Sequence, residues 1–236
     1  MKDAWRQLRH RRGTSLTIVM TLALGIGANA LVFSAVRAVL LAPLPFSEPG
    51  RLVNLWETQP GNSTRGVAPA NFLDWRASAS FEGIAAYNRK RRSIAGDSPE
   101  RIQIATVSSN FFDVLGVRAV VGRTFTAIAP AGAPREVILR DDFWQRRFAA
   151  DRSLIGKTIR LDDETVLVAG VVPRALAFPE DAVAWTQAPH DIPELGPGAP
   201  GDLRTVRDAW YFRVVGRLKP GGTIAQAQAG MDGIAV

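Results

Sequence analysis

The eight residues DRSLIGKT, Asp151 to Thr158, close on Gly-Lys-Thr, the tail of the loop with which many ATP- and GTP-binding proteins wrap a phosphate chain. That chemistry needs a glycine where Asp151 stands, so that backbone N–H groups converge on the phosphates, and it needs a helix to begin beside the lysine. Asp151 would set a carboxylate against a polyphosphate instead. The residues that follow, TIRLDDETVLVAGVV, alternate Ile159 and Leu161 with Thr158 and Arg160, turn through three acids, and continue as an apolar run. This is the pattern of a β-hairpin. Lys157 therefore reads as the entry to a strand, and no nucleotide binding is expected.

Other candidates for chemistry are sparse. The chain holds two histidines, His10 and His190, and no cysteine. Thiolate metal sites, disulfides and a Cys nucleophile are thereby excluded, and neither histidine has a local partner for a metal cluster or a hydrolytic triad. Asp162, Asp163 and Glu164 fall together where the hairpin turns and read as a solvated turn rather than a cation site. The run RKRR, Arg89 to Arg92, offers positive charge to an acidic partner or to lipid head groups, but charge runs mostly face water, and it reads first as a solvated strand or loop. Trp56, Trp75 and Trp144 lie in amphipathic segments and read as core. The formal net charge is +7, most of it in residues 2 to 12, where Lys2, Arg6, Arg9, Arg11 and Arg12 face Asp3 alone. So concentrated a charge is no nucleic-acid footprint. The expectation is a protein that is not an enzyme, with no cofactor, no metal and no nucleic-acid partner.

The basic block abuts TSLTIVMTLALGIGANALVFSAV, residues 14 to 36, which contain no ionisable side chain. As a helix at about 1.5 Å per residue this stretch spans roughly 34 Å, enough to cross a hydrocarbon core about 30 Å thick. Two competing readings arise within it. GIGANA, Gly25 to Ala30, matches a dinucleotide fingerprint with Glu48 near the place of a ribose-binding acid, but Pro43, Pro45 and Pro49 occupy what would be the second strand. Ala28-Asn29-Ala30 has the form of a signal-peptide cleavage site, yet apolar sequence continues past it through LVFSAV. A retained membrane helix over residues 14–41 is therefore expected, after a cytoplasmic segment 1–13 in which Arg6, Arg9, Arg11 and Arg12 anchor the membrane surface. Ala23, Gly27, Ala30, Ser34 and Ala38 recur at helical spacing and form a small-residue face suited to close approach by another membrane helix.

Beyond Pro49 the pattern mixes strands and short helices. RLVNLWET, RIQIATVS, EVIL and AWYFRVVGRL read as strands, the last with Phe212, Val214 and Leu218 inward and Arg213 and Arg217 outward. NFLDWRAS reads as a helix capped by Asn71, SSNFFDVLGV as one that stops at Gly116, and RDDFWQRRF as one opened by Asp141 or Asp142. Residues 186–202, crowded with Pro and Gly, read as a long surface loop. A last helix follows Thr223, with Thr223 and Gln226 spaced as a capping box and Ile224, Ala227, Met231 and Ile234 as its apolar stripe.

In order along nearly the whole chain, LLAPLPFSEPGRLVNLWE, NFLDWR, VSSNFFDVLGV, VGRTF, FWQRRFAADRSLIGKTIRL, VAGVVP and VGRLKPGGTIAQAQAGM resemble the MacB/FtsX-like ABC transporter permeases. The resemblance covers the first transmembrane helix and the MacB-like periplasmic core domain. TAIAPAGAP departs from it by lacking the acids common after the Gly-Arg-x-Phe segment, and the three further membrane helices of a permease do not follow, as in a fragment. It implies an α+β fold: an N-terminal transmembrane helix, then a two-lobed mixed α/β extracytoplasmic domain over 42–236. The first lobe would comprise about 50–116 plus 205–236, with about 117–204 inserted. It also implies a permease subunit of an exporter or mechanotransmission complex in the inner membrane. The implied partners are a separate cytoplasmic ABC ATPase subunit, a second permease copy, a periplasmic adaptor and the lipid bilayer. The alternative is a membrane-anchored extracytoplasmic binding or scaffold protein that uses the same fold without transport.

Overall fold

The computed structural model describes residues 12–40, 46–58, 61, 63–96, 98–125, 134–195 and 202–234. Helix α1, Arg12–Leu40, is continuous. Leu, Ala and Met favour the helix, and two hydroxyls that would be costly in hydrocarbon are satisfied inside it: Thr17 donates to the Gly13 carbonyl at 3.0 Å and Thr21 to the Thr17 carbonyl at 2.8 Å. GIGANA lies within this helix, so the strand-turn-helix on which dinucleotide binding depends is not formed there.

Pro45–Val236 forms one compact mixed α/β unit. Its strands are β1 (Leu52–Leu55), β2 (Glu57–Thr58), β3 (Thr64–Arg65), β4 (Phe81–Ile94), β5 (Glu100–Val107), β6 (Val121–Gly122), β7 (Glu136–Arg140), β8 (Thr158–Leu161), β9 (Glu164–Val172), β10 (Ala184–Gln187) and β11 (Arg213–Leu218). Its helices are α2 (Pro69–Trp75), α3 (Phe111–Leu115), α4 (Asp141–Phe148) and α5 (Ile224–Asp232). The main sheet has the order β1-β11-β4-β5-β10-β7-β9-β6, with β8 pairing both β9 and β4. Because β8 returns to β4 through Leu161 and Ile94, the strands β4, β5, β10, β7, β9 and β8 close into a ring. β4 has 14 residues and serves twice: its first half pairs β11, and its second half enters the ring. The ring takes β4 and β5 from the range assigned above to the first lobe and β7 to β10 from the middle range.

Three apolar clusters fill this framework. Ile94, Ile102, Ile104, Leu139, Leu161 and Val168 fill the ring, with Phe143 and Trp144 of α4 packed on them. The other face of β5 turns Ala105 and Val107 to a second cluster with Phe111, Phe112, Phe125 and Trp185. The third joins β1, β11, α2 and α5 through Leu55, Phe72, Trp75, Phe212, Val214 and Ala227. Strands buried on both faces lose the period-2 signal, which is why RIQIATVS ends in the unbroken buried run Ile104 to Val107.

Several local expectations are corrected. Asn71 does not cap α2. That helix starts at Pro69, and Glu57 reaches in from β2 to accept the Ala68 N–H and the Asn71 amide, each at 2.8 Å. Residues 186–192 are not surface loop: β10 runs to Gln187, and Asp191 and Ile192 are buried. Asp191 there accepts Ser109 N–H at 2.9 Å and pairs with Arg76, so a polar side chain replaces the missing strand bonds. Arg217 does alternate against Phe212, Val214 and Leu218, but it is buried, because the face of β11 that it shares with Val215 is covered by α3 and not by water. Ile224 is 68% exposed, and Ala227, Met231 and Ile234 carry the packing of α5 instead. Trp56 is 41% exposed, with the Arg213 guanidinium 5.7 Å from its ring; Trp75 and Trp144 are buried. The capping box of α5 forms in both directions, Gln226 N–H to Thr223 Oγ1 at 3.2 Å and Thr223 N–H to Gln226 Oε1 at 3.0 Å.

Candidate functional site

Helix α1 carries the small-residue face and the apolar span. Leu16–Ser34 is long and apolar enough to cross a membrane. At about 100° per residue, Ala23, Gly27, Ala30, Ser34 and Ala38 fall within about 80° of arc, and the first four are exposed. Arg12 begins the helix; Arg6, Arg9 and Arg11 lie outside the described residues.

In the following unit, residues 46–51 are clamped to the core. The Phe46 ring meets Phe178 edge-on with centroids 6.0 Å apart. Ser47 lies against Gly116, the left-handed residue that ends α3 at φ 66°. Arg51 donates from Nε to the Leu218 carbonyl at 2.9 Å and pairs with Glu48 and Glu82. Beneath them Arg217 is buried, its Nε donating to the Val114 carbonyl at 2.7 Å, while Nη2 has no partner.

Arg89 to Arg92 form the exposed half of β4, and part of this charge is neutralised. Arg92 meets Asp162 at 2.8 Å, Glu164 at 2.7 Å and the Leu161 carbonyl at 2.7 Å. Arg135 also grips Glu164 and reaches Glu194 at 3.0 Å. Burial opposes ionisation of Glu164, but the hydrogen bonds from Arg135 and Arg92 outweigh it and hold its carboxyl below the ordinary range. Asp162 is lowered by the Ser93 N–H and by Arg92. Asp162 and Glu164 are thus structural ligands of arginine rather than a merely solvated turn, while Asp163 projects into water with the exposed Arg160 4.0 Å away. Arg89 reaches Glu180 at 3.2 Å and Lys90 reaches Glu194 at 3.8 Å. Burial lowers the Lys90 pKa below its ordinary value, aided by Arg135 and Arg92. Arg91 and Arg213 form no ion pair among the described residues. With Tyr87, Gln103 and Tyr211 they line an open, polar cleft of about 510 Å³.

A groove of about 560 Å³ lies between β1, α2 and α5, lined by Leu55, Trp56, Trp75, Ile224 and Met231. Elsewhere the chemistry-bearing residues are occupied locally. Asp151 accepts Ser153 N–H at 2.8 Å to cap a turn, and Lys157 Nζ donates to Ser153 Oγ at 2.9 Å ahead of β8. Lys157 therefore opens a strand and not a helix, and the phosphate loop is not built. His190 sits in a left-handed turn. Among the described residues no group of three His, Asp or Glu side chains is placed to hold a metal ion.

Sequence reasoning missed the cleft and the clamp. Both join residues far apart in the chain, such as Ser47 with Gly116 in the clamp and Arg91 with Arg213 in the cleft, and no local pattern reports such pairs.

The family model of the MacB-like periplasmic core domain matches residues 15–234. A comparison with curated protein sequences finds no match. Among solved structures the chain is similar to the periplasmic region of MacB from Actinobacillus actinomycetemcomitans. The two share 13% identity and a TM-score of 0.57, over 79% of this chain and 82% of that one. It is also similar to the extracellular domain of the noncanonic ABC-type transporter YknZ from Gram-positive bacteria, with 13% identity and a TM-score of 0.52, over 76% of this chain and 88% of that one. At such identity the likeness concerns the fold, and the family rests on the match from helix α1 to α5: the chain belongs to the MacB-like periplasmic core domain family, a module of ABC-type transporter permeases.

Proposed function

We propose that the chain is a permease subunit of an ABC-type exporter or mechanotransmission complex. In this reading its basic N-terminus lies in the cytoplasm, α1 crosses the inner membrane, and the mixed α/β domain lies outside the cytoplasm. It catalyses no reaction itself; a separate cytoplasmic ATPase supplies the work, and a second permease copy packs on the small-residue face of α1. The observation that carries the reading is that one family model runs from within the apolar helix to the last helix of the domain, so helix and domain form one inherited unit. The clamp on residues 46–51 supports it: the segment that follows the helix in sequence is fixed to two cores by Phe46, Ser47 and Arg51, as a mechanical coupling requires.

The chain lacks cysteine, so single cysteines report topology without background. A cysteine at exposed Ser153 should react with a membrane-impermeant maleimide on intact cells, and one at Ser15 should not. Photoaffinity labelling with azido-ATP of the complex extracted from membranes should mark a co-purifying subunit and leave this chain unlabelled. If Ser153→Cys is protected in intact cells the topology is wrong; if no ATP-labelled subunit accompanies the chain, the anchored-scaffold reading replaces the permease.

A further inference from the structure

The exposed half of β4 leaves a gap in the sheet. Ala86 fixes the phase of the strand: its N–H and carbonyl meet Ser108 on the β5 side, at 3.1 Å and 3.0 Å. Backbone groups alternate along a strand, so Tyr87, Arg89, Arg91 and Ser93 direct theirs to the opposite edge. Tyr87 is answered there by Arg213 of β11. Ser93 is answered by Asp162, whose Oδ1 accepts the Ser93 N–H at 2.8 Å and whose N–H donates to the Ser93 carbonyl at 2.7 Å. Between them, among the described residues, no backbone group pairs with Arg89 or Arg91 on that edge. The chain that should have continued β11 departs at Phe212, which bridges to Val67 instead. The opening from Tyr87 to Ser93 is about 20 Å long at about 3.4 Å per residue, room for an extended segment of about five residues.

We infer that this gap receives an extended acidic peptide segment of a partner protein, added to β4 as a short antiparallel strand. Arg89 and Arg91 would supply two backbone donors and two acceptors, the usual basis of strand addition, with side-chain chemistry setting the preference. Arg89, Lys90 and Arg92 are each paired with a carboxylate of the chain, and Asp181 also lines the cleft, so the charge left for a guest is that of Arg91, with Arg213 at the end of the opening. Arg91 and Arg213 have no carboxylate of their own among the described residues, and the cleft beside them has the space for guest side chains. Charge on an edge also guards against pairing with itself. Here that argument removes one occupant, since a second copy would set its own unpaired Arg91 against this one, and leaves an acidic segment as the complementary one.

The test uses the full chain in nanodiscs and a capped peptide of alternating Glu and Thr. Hydrogen exchange in residues 88–93 should slow about tenfold when the peptide fills about nine-tenths of the sites. A peptide with Lys in place of Glu should give no protection. Arg91→Pro removes the outward N–H without touching the β5 pairing and should abolish protection, as should Arg91→Glu, with circular dichroism confirming that each variant is folded. Protection by the acidic peptide that persists in Arg91→Pro would show binding by charge alone and overturn strand addition. Absence of protection at millimolar peptide would overturn the site. Protection by peptide-free nanodiscs of anionic lipid, absent from neutral ones, would assign the edge to the membrane surface and equally overturn it.

Discussion

Gly116→Ala tests whether the clamp at residues 46–51 depends on close backbone approach. Gly116 has φ 66° and ψ 32°, a conformation that costs an L residue about 1–2 kcal/mol. An alanine Cβ there would lie 2.5 Å from the Ser47 Cβ and 3.3 Å from both the Ser47 nitrogen and Arg217 Nη2. Real Cβ atoms do not approach so closely, so Ser47 or α3 must shift, adding about 1–3 kcal/mol as overpacking does. The sum, about 2–5 kcal/mol, is a large share of the roughly 5–15 kcal/mol that holds a typical domain. Urea unfolding of the full chain in detergent, followed by the emission of buried Trp75 and Trp185, would read it as a fall in midpoint. The two terms separate in a Ser47→Gly background, where the serine Cβ is absent and the cost should drop to about 1–2 kcal/mol. Equal costs in both backgrounds would refute the close approach, and no cost in either would refute the left-handed requirement.

Phe112 is fully buried between Phe111, Phe125 and Trp185, with ring centroids 5.5, 5.5 and 5.8 Å away, so Phe112→Ala should cost about 3–5 kcal/mol in the same unfolding measurement. Glu164 and Asp162 have lowered pKa values in the folded state. Their stabilisation is therefore present above the ordinary carboxylate range and lost as pH falls through the lowered values. Protection factors for hydrogen exchange in residues 158–167, taken against the intrinsic rate at each pH, should fall below about pH 4, and Glu164→Gln should remove most of that pH dependence. In α1, Gly27→Ile should weaken helix association about three- to tenfold, measured by energy transfer between labelled copies in bilayers, whereas Val32→Leu on the opposite face should not.

How much of this was legible depended on the range of the interactions. The capping box at Thr223, the Gly116 stop and the hairpin after Lys157 were readable because each is set by residues within a turn or two. Asn71 misled because the donors at the start of α2 are met by Glu57, eleven residues before Ala68, and nothing near Asn71 says so. Arg217 misled because alternation separates two faces without saying that one is wet, and here the face opposite Val214 is covered by α3. The stretch 186–192 misled because it reads together with the Pro/Gly-rich residues that follow it, whereas β10 extends to Gln187 and Asp191 supplies buried polar partners for the irregular path beyond. The ring itself was not readable, since its closure rests on Ile94 and Leu161 meeting across 67 residues of chain.

The place of β11 in the sheet also sets a timetable. It lies between β1 and β4, both of which leave the ribosome well over a hundred residues earlier, and it is the last strand in chain order among the described residues. Until Arg213–Leu218 arrives, β1 and β4 lack the strand that joins their facing edges. Such edges are the species on which misfolding feeds. A domain assembled in this order should depend on a holding factor during synthesis. Translation arrested just before Ala209 should leave nascent chains that are protease-sensitive at Leu52–Leu55, and release of the final stretch should make them resistant within a single cooperative step.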